Sequence, residues 1–290
     1  MRQGILLLCV LGMPHAVSAQ GATDLFRVEL RESDGRITAG RVTRLTNRDG
    51  YDNQPHVLRD GRALLYTSID STGQADIFRM DLATGRSENI TRSAPESEYS
   101  ASLTPAGDRF SAIRVEADSA QRLWSFELDG SDPRVVLADV RPVGYHAWID
   151  ADRLALFVLG EPASLQLADV RSGTARVVAE RIGRSLHRIP GRTAVSFVHR
   201  EGDGPGWIKA YDPAADTVEA LIAAVEENEY HAWLPSGVLI SARGSTLLQW
   251  NAAHDSGWVE IADLSESGVT AISRIASSPG GRFLVIVAEH

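Results

Sequence analysis

Four histidines are the residues of this sequence whose type and spacing could do chemistry: His56, His146, His187 and His231. Each stands at the start of a predicted short strand. His146 and His231 occupy the same position in two copies of a Tyr-His-Ala-Trp motif. If these strands surround a common axis, their imidazoles converge, and neutral imidazoles are ligands for zinc, manganese and iron. One hypothesis is therefore a divalent transition metal held by His146, His187 and His231.

A structural role is the alternative explanation of the same histidines. In a repeated sequence a histidine recurs wherever each repeat needs the same hydrogen bond, and the motif tryptophan then fills the gap between repeats. We prefer this explanation because His56 is offset by one residue and the second and sixth repeats carry no such histidine. On this view the protein needs no cofactor.

A ligand site, if the protein has one, is expected where equivalent positions of several repeats meet, because pockets form where several elements converge. The expected site is a channel mouth framed by the four histidines, with Tyr145, Tyr230 and Glu98 nearby. Asp52 and Glu229 occupy positions like that of Glu98. All three acids could orient a histidine or bind a cation, but loop capping is the simpler interpretation.

The elements that would position these residues repeat along the chain. Copies of one unit of four short strands begin at Asp52, Glu98, Tyr145, Ser185 and Glu229, roughly every 40 residues, which is the period of a propeller blade. The segment 217–227 has helical character, but its place in the repeat predicts a fourth strand.

The two ends of the chain complete the pattern. The N-terminal segment supplies a third and a fourth strand, and the C-terminal segment supplies a first and a second. The strand around Phe26 to Leu30 should therefore pair with the strand from Phe283 to Val287. The predicted fold is all-β: a six-bladed β-propeller of four-stranded antiparallel blades, closed by N- and C-terminal strands that share one blade. Residues 20–290 are expected to form this one domain.

The turn motifs of the repeat resemble those of the TolB propeller family. They read NQPHVLRDG from Asn53, SLTPAGD from Ser102, AWLPSG from Ala232 and SSPGG from Ser277. The resemblance implies a WD-repeat-like propeller, without the N-terminal α/β domain of TolB because no room for it precedes Asp24. Related propellers occur in oligogalacturonate lyases, which use a histidine-rich metal site, and in prolyl-peptidase-like enzymes.

The N-terminus predicts export. Arg2 precedes a short apolar run, and Val17-Ser18-Ala19 fits a signal-peptidase site, so residues 1–19 are a predicted signal peptide with cleavage after Ala19. Cys9 is the only cysteine, which leaves the mature chain without disulfides. The predicted location is periplasmic or secreted, with no transmembrane segment in the mature chain.

Charge and motifs narrow the function classes. The formal net charge of −9 argues against nucleic acid as a partner and mildly for a cationic one. The sequence has no nucleophile elbow, zinc-protease motif or phosphate loop. The preferred function is a non-catalytic scaffold that binds an envelope protein, a peptide or a glycan through its channel face. The alternatives are a metal-dependent enzyme acting on acidic saccharides, as the lyase resemblance implies, and a small-molecule sensor.

Overall fold

The computed structural model describes residues 21–202, 204 and 206–289. The predicted signal peptide and its cleavage site lie outside these residues. The described chain is almost entirely β-structure, with 24 strands and one 3₁₀ turn at Ser265–Ser267. The strands are β1 (Thr23–Ser33), β2 (Arg36–Arg44), β3 (Tyr51–Val57), β4 (Ala63–Ile69), β5 (Ala75–Asp81), β6 (Ser87–Asn89), β7 (Ser97–Leu103), β8 (Arg109–Val115), β9 (Gln121–Glu127), β10 (Arg134–Val135), β11 (Val143–Trp148), β12 (Arg153–Val158), β13 (Ser164–Asp169), β14 (Thr174–Glu180), β15 (Ile182–Arg188), β16 (Val195–His199), β17 (Trp207–Asp212), β18 (Thr217–Ala223), β19 (Ala232–Trp233), β20 (Leu239–Arg243), β21 (Thr246–Trp250), β22 (Val259–Asp263), β23 (Ile272–Ser277) and β24 (Phe283–Glu289).

Four sheets each contain four consecutive antiparallel strands: β7 to β10, β11 to β14, β15 to β18, and β19 to β22. Each of these blades corresponds to one predicted repeat. The segment with helical character is strand β18, the fourth strand of its sheet, as its place in the repeat predicted.

The remaining eight strands form one larger sheet that closes the ring. Strands β3 to β6 make one antiparallel half, and β23, β24, β1 and β2 make the other. The halves are joined by a single parallel pairing of Thr23 with Tyr51, which makes this sheet mixed. The count of six blades depends on dividing the sheet at this pairing.

Closure by both ends of the chain is confirmed. Strand β1 pairs antiparallel with β24, and Phe26 lies opposite Ile286 while Val28 lies opposite Leu284. Closing the ring in this way leaves fewer free sheet edges than a linear array would.

Tight turns and apolar second strands explain why the repeat forms sheets. The Asp60-Gly61 turn needs a residue at positive φ, and Gly61 has φ of +69°. The following strand is apolar, and Leu64 and Leu65 on its two faces are almost fully buried. A strand buried on both faces fits a sheet stacked between two others.

The hydrophobic core lies between neighbouring blades. One cluster joins Leu65 and Ile77 of one blade to Phe110 and Phe126 of the next. The two phenylalanine rings are stacked with their centroids 5.0 Å apart. The first strands of the blades are left to line the channel.

No helix in the described part of the chain is long and apolar enough to cross a membrane.

Candidate functional site: a channel with two chambers

The first strands of the blades line two adjoining cavities. Strands β3, β7, β11, β15 and β23 contribute to both, together with the residues that precede β19. All five of these strands carry a register irregularity within or next to the channel-lining segment. Such a bulge changes the direction in which side chains point, so the irregularities help to determine what faces the channel.

The smaller cavity has a volume of about 280 Å³ and contains all four predicted histidines. We call it the histidine chamber. Its wall is formed by Gln54, Pro55, His56, Ser100, Ala101, Ser102, Leu103, Tyr145, His146, Ala147, Trp148, Arg184, Ser185, Leu186, His187, Arg188, Tyr230, His231, Arg274 and Ile275.

Two of the histidines tie neighbouring blades together. Ser111 on β8 accepts a hydrogen bond from Trp148 Nε1 at 2.9 Å, and its Oγ lies 2.7 Å from His146 Nε2. The serine hydroxyl itself donates to the carbonyl of Ser102 at 3.3 Å. The Oγ of Ser102 also lies 2.9 Å from His146 Nε2. We call this serine, histidine and tryptophan a latch.

The second motif copy builds the same latch one blade pair further on. Ser196 accepts a hydrogen bond from Trp233 Nε1 at 2.9 Å, its Oγ lies 2.8 Å from His231 Nε2, and it donates to the carbonyl of His187 at 3.3 Å. His146 and His231 are both buried, and their Nδ1 atoms have no hydrogen-bond partner. The repeated histidine thus makes the contact between blades that the structural explanation predicted.

The other two histidines share a different register. His56 lies opposite Leu65 on the next strand, and His187 lies opposite Ser196. His56 Nε2 accepts the backbone N–H of Leu103 at 3.2 Å. The ring of His187 meets that of His231 edge-on at 5.1 Å, and its Nε2 lies 3.1 Å from Ser185 Oγ.

Burial keeps these imidazoles neutral. It lowers the pKa of His56 to about 4 and that of His146 to about 3. The pKa of His187 falls to about 4 through burial and the charge of Arg274, and burial beside His187 lowers the pKa of His231 well below its usual value. Desolvation disfavours the charged form, so the histidine chamber carries no imidazolium at neutral pH.

The described residues include no group of three or more His, Cys, Asp or Glu side chains placed to hold a metal ion. In the latches, the Nε2 atoms of His146 and His231 are already engaged by serine. A metal bound by His146, His187 and His231 would have to use the Nδ1 atoms of His146 and His231, and the metal hypothesis stays a prediction.

The larger cavity has a volume of about 730 Å³. We call it the tyrosine chamber, because Tyr51, Tyr99, Tyr145 and Tyr230 all line it. Burial raises the pKa of Tyr51, Tyr99 and Tyr230. These phenols are therefore neutral and can both donate and accept hydrogen bonds.

A collar of four side chains borders both chambers: Tyr145, Tyr230, Arg184 and Arg274. The guanidinium carbon of Arg274 lies 4.4 Å from the ring centroid of Tyr230 and 5.0 Å from that of Tyr145. Arg274 also donates a hydrogen bond to the hydroxyl of Tyr145 at 2.8 Å. Two electron-rich ring faces thus hold one cation at the junction of the chambers.

The acids before the first strands do not face the channel. Glu98 lines neither chamber: it accepts hydrogen bonds from Arg114 at 2.7 Å and from Ser93 at 2.6 Å, and burial raises its pKa. Asp52 pairs with Arg48 in the same manner, at 2.7 Å. These acids neutralise arginines within the blades, which differs from the loop capping preferred above.

Tyr145 and Tyr230 line the same cavity as the histidines, whereas Arg274, which also lines it, was not among the residues predicted from the sequence. The signal was present in the sequence. Tyrosine stands near the start of the first strand in the second, third and fifth repeats, whereas Arg184 and Arg274 stand near that point in the fourth and sixth. A comparison that looks for residues shared between repeats does not detect a position where arginine replaces tyrosine.

Solved structures share this architecture. A TolB candidate from Agrobacterium tumefaciens is 16% identical, with a TM-score of 0.71 over 94% of this chain and 99% of that one. TolB from Acinetobacter baumannii is 14% identical, with a TM-score of 0.59 over 92% of this chain and 64% of that one, so this chain spans less than two thirds of its length. An oligogalacturonate lyase in complex with manganese is 16% identical, with a TM-score of 0.55 over 91% of this chain and 78% of that one.

No family model and no curated protein matches the sequence. The four-stranded antiparallel blades around a channel, closed by strands from both ends of the chain, define a β-propeller. Its fold is that of the TolB-like propellers, as the turn motifs had indicated. At these identities the likeness concerns the fold alone, and activity has to be argued from the site.

Proposed function

We propose that this chain is an exported, non-catalytic propeller that binds a protein, peptide or glycan through its channel face. The observation that carries the proposal is the pair of adjoining chambers, walled by the first strands of successive blades. A cavity of this kind, with aromatic walls and a few polar groups, is the usual form of a binding site. The TolB-like fold is compatible with such a scaffold.

The wall chemistry supports binding over catalysis. The histidines are neutral at physiological pH, and two of them are committed to latches. Asp52, Glu98 and Glu229, which stand next to tyrosines of the channel wall, pair with arginines. A group held in such a hydrogen bond or ion pair is not free to take up or deliver the proton of general acid–base catalysis.

A plugged channel tests this proposal. Ser273 lines the tyrosine chamber, so Ser273→Trp should fill part of it. Val177 is 53% exposed on an outer strand, which makes Val177→Trp the matched control. Wild-type and control proteins used as bait on the native envelope fraction should capture the same partner, and the plugged variant should lose it. Equal capture by all three proteins would refute binding through the channel.

The alternative is a metal-dependent enzyme acting on acidic saccharides, supported by the fold shared with a manganese-bound oligogalacturonate lyase. Elemental analysis of protein purified without chelators separates the two proposals. Stoichiometric manganese, zinc or iron that disappears in the His187→Ala variant would favour the enzyme.

Export is tested by a separate measurement. The mature protein isolated from the envelope should begin at Gln20.

A further inference from the structure

Arg274 is a cation in the channel without an anionic partner. It lies half-buried on β23, and no carboxylate of the described residues forms an ion pair with it. By contrast, Arg44, Arg48, Arg114 and Arg200 each pair with an acid within 3.0 Å. A guanidinium that lines a cavity without a carboxylate partner is available to an anionic ligand.

The charges around Arg274 are predominantly positive. The histidine chamber is lined by Arg184, Arg188 and Arg274 and by no carboxylate of the described chain. The tyrosine chamber has a single carboxylate in its described lining, Glu161, which is exposed. Since the tyrosines and histidines that face Arg274 are neutral, the channel is locally positive within a protein of net charge −9.

Arg184 adds to this local charge. The nearest oxygen of Glu229 to its guanidinium is 4.0 Å away, and the same carboxylate makes its closer contact of 2.9 Å with Arg200. Glu229 therefore compensates Arg184 only weakly. Arg184 lines both chambers, as Arg274 does.

Most hydrogen-bond donors of Arg274 are uncommitted. A guanidinium has five N–H donors in a planar fork, and the side chain of Arg274 donates one hydrogen bond within the described residues, to Tyr145. The two tyrosine rings lie near the guanidinium, so a ligand is expected to approach its edge. That edge matches two coplanar oxygens of a carboxylate.

We propose that the collar of Tyr145, Tyr230, Arg184 and Arg274 binds a carboxylate group of the ligand. This deepens the proposed function, on which it rests, by naming the chemistry that the channel recognises. A carboxylate carries one negative charge and so balances the guanidinium of Arg274. The tyrosine chamber, at about 730 Å³, has room for the organic body to which that carboxylate belongs.

Two pairs of probes test the carboxylate and distinguish its source. Glucuronate is compared with glucose, and N-acetyl-dialanine is compared with its C-terminal amide, by titration calorimetry or ligand-observed NMR. Wild-type protein should bind one of the two acids at least tenfold more tightly than its uncharged partner. The acid that binds identifies a sugar acid or a peptide C-terminus as the source.

The variants assign that binding to the collar. Arg274→Met should weaken it at least tenfold, and Arg274→Lys should keep part of it because the charge remains while the fork is lost. Arg192→Met is the matched control, since Arg192 pairs with Glu219 outside the channel. Thermal unfolding confirms that each variant is folded.

Equal binding of acid and uncharged partner in both pairs, or undiminished binding by a folded Arg274→Met protein, overturns the carboxylate assignment. The failure of the proposed function looks different. If Ser273→Trp loses the captured partner but Arg274→Met keeps it, the channel binds the partner, but the collar does not bind a carboxylate group of it. If neither variant loses it, binding through the channel is itself wrong.

Discussion

The two chambers adjoin each other, but their walls are organised differently. In the histidine chamber the polar side chains mostly bond to one another or to the backbone, as in the Ser111 and Ser196 latches. In the collar, where the two chambers meet, Arg274 keeps donors without partners. Groups that satisfy each other stabilise the ring, whereas groups left unsatisfied are available to a ligand.

The difference follows the repeat. His146 and His231 recur in one motif because each connects a blade to the blade before it, and that need recurs around the ring. Arg274 departs from the tyrosine found near this point in three other repeats. Among the described residues, no other blade presents an unpaired cation held between two tyrosine rings. In this propeller the residues that recur in the repeats stabilise the fold. The position where arginine replaces the repeated tyrosine marks the candidate site.

The largest expected effect is acid destabilisation that originates in the histidine chamber. The folded-state pKa values of about 3 to 4 lie below the usual value of 6.5, so the folded protein resists protonation that the unfolded chain accepts. Stability is fully present above pH 6.5 and falls as the pH drops towards 4. Each buried histidine contributes about 1.4 kcal/mol per pH unit in this window. His56 and His187 are half-buried and contribute less than His146 and His231.

Urea unfolding between pH 6.5 and 5 measures this slope. His231→Gln is the informative variant, because a Gln amide can still donate to Ser196 but cannot take up a proton. It should reduce the slope by about 1.4 kcal/mol per pH unit. An unchanged slope in this variant would mean that the histidines do not control acid unfolding. The buried Glu98, with its raised pKa, acts in the opposite direction at the acid end of the range.

Much of the fold could be predicted from the sequence, because turns and alternation are local signals. The Asp60-Gly61 turn, the strand at Thr217–Ala223 and the pairing of Phe26 with the C-terminal strand all follow from the repeat. The acids were harder to place. Whether Glu98 faces the channel or the blade depends on Arg114, its partner on the next strand, which sequence spacing does not indicate.

A smaller effect is expected from breaking one latch. Ser111→Ala leaves Trp148 Nε1 without its acceptor and removes a close partner of His146 Nε2, which should cost about 1–3 kcal/mol of unfolding free energy. Ser241 is buried in the same way, but its hydroxyl only donates to the carbonyl of Tyr230. Ser241→Ala should therefore cost about 1 kcal/mol or less. Denaturant unfolding at pH 7.5 compares the two variants, and equal losses would show that the latch adds nothing beyond one hydrogen bond.

The smallest effect on stability is expected at Arg274, where the effect on binding should be largest. Arg274→Met removes a cation held near the Tyr145 and Tyr230 rings, a contact that stabilises by about 0.5–1 kcal/mol per ring at exposed sites. The same change removes the partial desolvation cost of an unpaired charge, which acts in the opposite direction, and methionine still packs against the rings. The free energy of unfolding should therefore stay within about 1 kcal/mol of wild type, or rise. Denaturant unfolding of Arg274→Met beside Ser111→Ala makes the comparison direct. If Arg274→Met lowers stability as much as the broken latch does, the collar is part of the architecture, and the contrast between the two chambers is lost.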